Sequence, residues 1–361
     1  MKEDGTVWAA GLNIFGQIGI DKSTRMVTSF MKVLSGGAMA VAGGGHHTLV
    51  LKRDGSVWGT GRNMYGQLGD GTNFDRDSFV QLFHGDVKAI AAGGDHSLLL
   101  TSNGSVQATG CNLSGQLGDG STTDRNSFVQ VFARDATAVA GGGHHSLLLK
   151  RGGSVWATGE NIHGQLGGGL EIKYKTSFTR VVSSASMSIA AGGFHSMVLR
   201  QGGSVWVAGE NEFGQLGDKS KDRTRHFLKV VPSGAQAIVA GRDHSVVLRQ
   251  SGSVSMAGRN HAGQMGAGNM WISRSYLPAI GGVQQVGAGA CHSMVLKEDG
   301  SLWVTGSNIY GQLGDGTTVG KKKFRKLGLL QDGALCCSSC CGCPDFAVNI
   351  FTTSSQMNFQ F

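Results

Sequence analysis

The sequence predicts an all-β protein, a seven-bladed β-propeller of four-stranded blades whose terminal blade is incomplete. Three observations carry this reading. The pair Gly-Gln recurs at Gly16-Gln17, Gly66-Gln67, Gly115-Gln116, Gly164-Gln165, Gly214-Gln215, Gly263-Gln264 and Gly311-Gln312, in steps of 50, 49, 49, 50, 49 and 48 residues. A period of that length marks a repeat array. A turn glycine keeps the same register at Gly5, Gly55, Gly104, Gly153, Gly203, Gly252 and Gly300. Finally, the segments between these marks show no helical periodicity, only short strand-like runs bounded by Gly, Asn and Asp.

Each element of the unit follows from its residues. Asp-Gly or Asn-Gly at the turn is a hairpin signal, flanked by runs such as Ser97-Leu98-Leu99-Leu100 before a turn and Ser56-Val57-Trp58-Gly59-Thr60 after one. Upstream, Val87-Lys88-Ala89-Ile90-Ala91-Ala92-Gly93 reads as another strand, with small residues where backbones approach closely. Ser78-Phe79-Val80-Gln81-Leu82-Phe83 supplies the fourth. Seven such units cover residues 1–330, and a divergent Cys-rich tail, a partial closing strand or a disordered segment, occupies 331–361.

Composition narrows the class. Gly is 60 of 361 residues while Pro is 3, which excludes collagen and Pro-rich linkers. With 40% hydrophobic and 16% charged residues the chain can bury a sizeable core. There is no apolar signal segment at Met1-Lys2-Glu3-Asp4-Gly5 and no run of about 18 apolar residues, so the expectation is no membrane span and a cytoplasmic or nuclear location. The net charge of +8 permits attraction to nucleic acid, acidic lipid or acidic protein.

Two side chains recur in register. Trp8, Trp58, Trp156, Trp206 and Trp303 lie just past the turn, with Gln107 and Ser255 in the other two units. An aromatic binding ring is one reading; packing between blades is the stronger one, because a core position repeats for packing reasons alone. His47, His96, His145, His195, His244 and His292 each precede Ser or Thr. A propeller spreads them one per blade, so they do not converge on a metal, and a role in fixing a Gly-rich turn by hydrogen bonds outweighs catalysis.

The unit Ala91-Ala92-Gly93-Gly94-Asp95-His96-Ser97-Leu98-Leu99-Leu100, with Asn103-Gly104-Ser105-Val106, Gly110, Asn112 and Gly115-Gln116-Leu117-Gly118-Asp119-Gly120, closely resembles the repeat of the regulator of chromosome condensation family. The resemblance spans about nine tenths of the chain. It implies a seven-bladed propeller in a family that includes the exchange factor for the GTPase Ran, a plant ultraviolet-B photoreceptor and propellers attached to large ubiquitin ligases, so fold does not name function. The Ran exchange factor has a β-wedge in one blade; the uniform 48 to 50 residue spacing leaves no such insertion here. The photoreceptor's Gly-Trp-Arg-His motif is absent, and the chain has no room for a ligase domain.

Variation between units concentrates after Gly-Gln-Leu-Gly, as in Asn73-Phe74-Asp75-Arg76-Asp77 against Lys219-Ser220-Lys221-Asp222-Arg223-Thr224-Arg225. These loops are expected on one face of the ring, presenting Arg25, Arg76, Arg125, Lys173, Lys175, Arg223, Arg225 and Arg274 to an acidic partner or simply to solvent. Lys321, Lys322 and Lys323 open the densest positive cluster, which suits phosphates or a weak nuclear address.

The chain begins inside a hairpin, since Met1 to Trp8 mirrors Leu296 to Trp303. Ring closure in the resembled family pairs strands from both termini, so residues 332 to 345 should supply the missing inner strands. They read Cys336-Cys337-Ser338-Ser339-Cys340-Cys341-Gly342-Cys343-Pro344 instead. The overlapping Cys-x-x-Cys spacings make a weak zinc site, reversible lipidation is a further reading, and Phe346 to Phe351 has the composition of an edge strand. A fragmentary or aberrantly spliced gene model explains both ends most simply.

No nucleotide-cradling Lys motif, nucleophile elbow or carboxylate pair stands in register. The functional expectation is a non-enzymatic protein-interaction and regulatory propeller, monomeric and without cofactor or metal. The alternative is guanine-nucleotide exchange on a Ran-like small GTPase, with chromatin or DNA contacted through the basic loops.

Overall fold

The computed structural model describes residues 1–169 and 171–328. Six antiparallel sheets have four strands each and one has two. The first blade contains β3 (Ala38–Gly43), β4 (His47–Lys52), β5 (Val57–Gly61) and β6 (Arg76–Phe83), after the two-stranded sheet of β1 (Val7–Leu12) and β2 (Met26–Leu34). The second holds β7 (Val87–Ala92), β8 (His96–Thr101), β9 (Val106–Gly110) and β10 (Arg125–Phe132); the third β11 (Ala136–Gly141), β12 (His145–Lys150), β13 (Val155–Glu160) and β14 (Tyr174–Val182). The fourth holds β15 (Ser186–Ala191), β16 (His195–Arg200), β17 (Ser204–Gly209) and β18 (Thr224–Val231). The fifth holds β19 (Ala235–Ala240), β20 (His244–Arg249), β21 (Val254–Arg259) and β22 (Ile272–Ile280), and the sixth β23 (Val283–Ala288), β24 (His292–Lys297), β25 (Leu302–Gly306) and β26 (Lys321–Lys326).

Within each blade the strands pair in chain order, and the inner strands of successive blades pack side by side: β3 on β7, β7 on β11, β11 on β15, β15 on β19, β19 on β23. Each sheet is therefore sandwiched between two others. The second strands are apolar on both faces for that reason, and Leu98, Leu99 and Leu100 are all fully buried. The core clusters span blade boundaries, joining for example Leu147, Val155 and Leu166 of the third blade to Ile189 and Val198 of the fourth. No helix among the described residues is long and apolar enough to cross a membrane.

The fold corrects one expectation. Among the described residues there are six four-stranded blades, not seven, because the first unit contributes only its third and outer strands, β1 and β2. That partial sheet still bridges the ring. On one side Ser29 of β2 bridges to Asp315 of the sixth blade, and the Gly316 N–H donates to the Thr28 carbonyl at 2.9 Å. On the other, the Thr48 and Thr60 hydroxyls of the first blade donate to the Gln17 and Gly16 carbonyls at 2.7 and 2.8 Å. The cysteine patch and the proposed closing strand lie outside the described residues.

Candidate partner-binding faces

Antiparallel order gives the ring two distinct faces. One, the turn face, carries the hairpins between second and third strands, such as Asp54-Gly55; the other, the loop face, carries the inner-to-second turns and the long third-to-outer loops.

A buried histidine ring joins the blades just beneath the loop face. His47 Nε2 lies 2.9 Å from Ser97 Oγ of the next blade, and His96–Ser146, His145–Ser196, His195–Ser245 and His244–Ser293 repeat the contact. Each of the first four serines donates its only hydroxyl proton to a Gly-Gln carbonyl, as Ser97 does to Gln67 at 2.6 Å. The imidazole must then donate from Nε2, which assigns the tautomer. Burial holds these imidazoles neutral, lowering His47, His96, His145 and His244 to about 3 and His195 and His292 to about 4. Each ring lies on a glycine: a Cβ on Gly93 would sit 2.0 Å from His96 Cε1. The sequence suggested a local turn clamp; the side chain reaches across the blade boundary.

A buried asparagine shapes each loop. Asn112 Oδ1 accepts the Leu117 N–H at 3.0 Å, while its Nδ2 reaches Asp119 Oδ1, the Ser121 carbonyl and the Thr123 carbonyl at 3.0 to 3.1 Å. Asn13, Asn63, Asn211 and Asn308 do the same in their units. Apart from Asn112, quoted within the repeat, these residues were not singled out from the sequence. Their signal is an Asn three residues before each of the seven Gly-Gln pairs.

The expected basic residues are placed differently from each other. Arg76, Arg125, Lys175, Arg225, Arg274 and Lys321, Lys322 and Lys323 lie on outer strands, whereas Arg25, Lys173 and Arg223 lie in the loops leading into them. Arg76 pairs with Asp70 and Arg125 with Asp119 at 2.7 Å, and Lys321 pairs with Asp315 at 2.8 Å. Arg225 reaches exposed Glu171 at 3.7 Å, Arg223 donates to the Ile162 carbonyl, and Lys322 to Asn269. Arg76, Arg125 and Lys321 thus close their own loops, whereas Arg223, Arg225 and Lys322 reach the loop of the preceding blade. Arg25, Lys173, Arg274 and Lys323 stand exposed.

What the loop face displays instead is apolar. Directly after the buried asparagines, Met64, Leu113, Ile162 and Ile309 are exposed, Leu113 at 68%. Phe74, Ile172, Trp271 and Val319, eleven residues after theirs, are exposed as well, Phe74 at 75% and Trp271 at 76%. Nearer the axis, Arg62 pairs with Asp95 at 3.5 Å and Arg259 with Asp243 at 3.1 Å, while His163 sits 3.6 Å from Glu210. Burial pushes the Asp243 and Glu210 carboxyls up, and at Asp243 the guanidinium groups of Arg242 and Arg259 pull the other way. Among the described residues no three His, Cys, Asp or Glu converge to hold a metal ion.

The tryptophans are half-buried at the turn-face end of the third strands. Trp58, Trp206 and Trp303 pack on core clusters shared with the preceding sheet, and each of the five indoles donates to a Ser or Thr two residues back. A cation covers each ring: Lys2 on Trp8, Lys52 on Trp58 at 3.7 Å, Lys150 on Trp156, Arg200 on Trp206 and Lys297 on Trp303.

Known proteins share this architecture. The model of the RCC1-like domain matches residues 80–343, and models of the regulator of chromosome condensation (RCC1) repeat match 54–100 and 40–67. Among solved structures, human WBSCR16 is 21% identical with a TM-score of 0.83, covering 95% of this chain and 98% of its own. Yeast RCC1 (Prp20) bound to Kap60 is 20% identical with a TM-score of 0.85, over 99% of this chain and 91% of its own. Prp20p of Saccharomyces cerevisiae, described with its binding properties to Gsp1p and histones, is 20% identical with a TM-score of 0.83, over 99% and 94%. No curated protein matches the chain. At these identities the structures speak for the fold, and the domain match over more than half of the sequence decides the family: the chain belongs to the regulator of chromosome condensation (RCC1-like domain) family.

Proposed function

We propose that this chain is a non-enzymatic interaction propeller that captures a protein partner on its loop face. One observation carries the reading. Apolar side chains stand exposed there in register, Met64, Leu113, Ile162 and Ile309 beside Phe74, Ile172, Trp271 and Val319, each on a loop locked by a buried asparagine. Solvent alone gives no reason to repeat them, and exposed aromatic and aliphatic groups on a rigid frame are what protein interfaces use as anchors. The exposed cations Arg25, Lys173, Arg274 and Lys323 rim that surface and favour an acidic partner.

Guanine-nucleotide exchange on a Ran-like GTPase, acting at chromatin, is the second reading; it rests on the likeness to Prp20p. We further propose that residues 1–330 act as one monomeric propeller in the cytoplasm or nucleus, and that two further inner strands complete a seventh blade on β1.

Affinity capture with the wild-type chain and with the Met64→Asp, Phe74→Asp, Leu113→Asp triple variant tests the leading reading. A reproducible partner should be captured by the first and lost from the second. Equal capture by both would remove the loop face from consideration. Labelled-nucleotide release from candidate GTPases tests the second reading, and a flat time course ends it.

A further inference from the structure

We infer that the turn face of the third, fourth and fifth blades docks on the anionic surface of a phospholipid bilayer. This lies on the face opposite the loop surface, so the two readings stand or fall separately. Lys150, Arg151, Arg180, Arg200, Lys229 and Arg249 gather at the turn-face ends of these three blades. Among the described residues the acidic side chains in that sector are Asp135 and, against the Gly252 tip of the fifth blade, Glu298 of the sixth. The rest of the same face is balanced: Glu3, Asp4, Asp54, Asp86 and Asp299 are interleaved with its lysines and arginines. A net positive charge is therefore concentrated on half of one face.

The turns themselves differ in the same sector. Elsewhere an Asp or Asn at the tip accepts the N–H two residues on, as Asp4, Asp54, Asn103 and Asp299 do. In the charged sector the tips read Gly152-Gly153, Gly202-Gly203 and Ser251-Gly252, which removes the acid. Gly152 and Gly202 have nothing within 4 Å of an added Cβ, so the tips of the third and fourth blades stand clear of their surroundings. The hairpins share one register, Leu149 facing Val155, Leu199 facing Val205 and Leu248 facing Val254, so their tips stand level.

A level surface on which cations outnumber carboxylates fits a plane of phosphates. Single-stranded nucleic acid would need free aromatic faces for base stacking, whereas Lys150 covers Trp156 at 5.5 Å and Arg200 and Lys229 cover Trp206 at 5.2 and 5.8 Å. A duplex is a rod, and level tips offer it no walled groove. An anionic bilayer meets all three tips together and attracts each nearby cation. The glycine and serine hairpin tips carry no apolar anchor, and the exposed Met187 beside them is a single thioether, so the docking is reversible and screened by salt.

The test is co-sedimentation of the full chain with phosphatidylcholine vesicles, with or without about 30% phosphatidylserine, at low salt. Binding is expected with phosphatidylserine vesicles and should be abolished by roughly 0.5 M salt. Arg151→Glu, Arg180→Glu, Lys229→Glu should lower the bound fraction at least about tenfold, while Lys32→Glu, Arg53→Glu, Lys326→Glu on the balanced half should change it less than about twofold. Circular dichroism confirms that both variants fold. No binding to anionic vesicles, equal loss in both variants, or full displacement by a short DNA duplex with tighter binding would each overturn the inference, the last naming nucleic acid as the ligand.

Discussion

The histidine ring should make this propeller acid-labile in a defined window. Each buried imidazole is neutral in the folded chain, lowered to about 3 or about 4, whereas an unfolded histidine titrates near 6.5. The folded values are depressed, so the neutral form costs nothing above pH 6.5. Below it the unfolded chain binds protons that the folded chain refuses, and stability falls until the folded values are reached. At pH 5 the gap is about 1.5 pH units, roughly 2 kcal/mol per histidine and on the order of 12 kcal/mol for the six. That is comparable to the whole stability of an ordinary domain, about 5–15 kcal/mol. Carboxylates held low by their partners, such as Asp70 and Asp119, act only further down, below about pH 4. Thermal unfolding followed by circular dichroism from pH 7.5 to 4.5 should therefore show a steep fall beginning near pH 6, with several protons taken up per molecule unfolded. A melting temperature at pH 5 within about 2 °C of that at pH 7.5 would refute the tautomer and burial argument.

Other consequences follow from single contacts. Asn112→Ala removes the acceptor of the Leu117 N–H and the donor to three loop oxygens, and should cost about 2–3 kcal/mol in urea unfolding and expose residues 119–125 to proteolysis. Gly66→Ala combines a positive φ of 78° with a Cβ 2.3 Å from Asn126 Cα of the next blade, and should cost about 2–4 kcal/mol. Gly85→Ala, with positive φ but open space, should cost only about 1 kcal/mol by the same measurement. Asp70→Asn breaks a pair whose arginine is partly exposed, so its unfolding free energy should shift by less than about 1 kcal/mol.

Much of the blade was legible in the sequence because every local choice repeats. The run from Val87 to Gly93 contains β7 and overshoots it by Gly93, and Ser78 to Phe83 falls within β6. Strand order followed from hairpin glycines such as Gly55 and Gly104, whose positive φ the turn requires. The side-chain partners were less legible, because they are long-range. Nothing local in His96 says that it meets Ser146 some 50 residues on, and the Asp70–Arg76 pair hides within a loop that reads as simply basic. The exposed Met64 and Leu113 were missed for the opposite reason: an apolar residue in a turn reads as core until the structure places it outside. The sequence also foresaw that the first unit would lack its inner strands, but not that β2 would still bridge to Asp315.

The central claim is that partners are captured by the loop face of a propeller whose frame is common to its family. The most direct measurement is the affinity of a captured partner, by isothermal titration, for the wild-type chain and for the Ile162→Asp, Trp271→Asp, Ile309→Asp variant. A loss of at least about 3 kcal/mol, more than a hundredfold in Kd, with the fold and melting temperature retained, is the expected result. Unchanged affinity in a folded variant would contradict it.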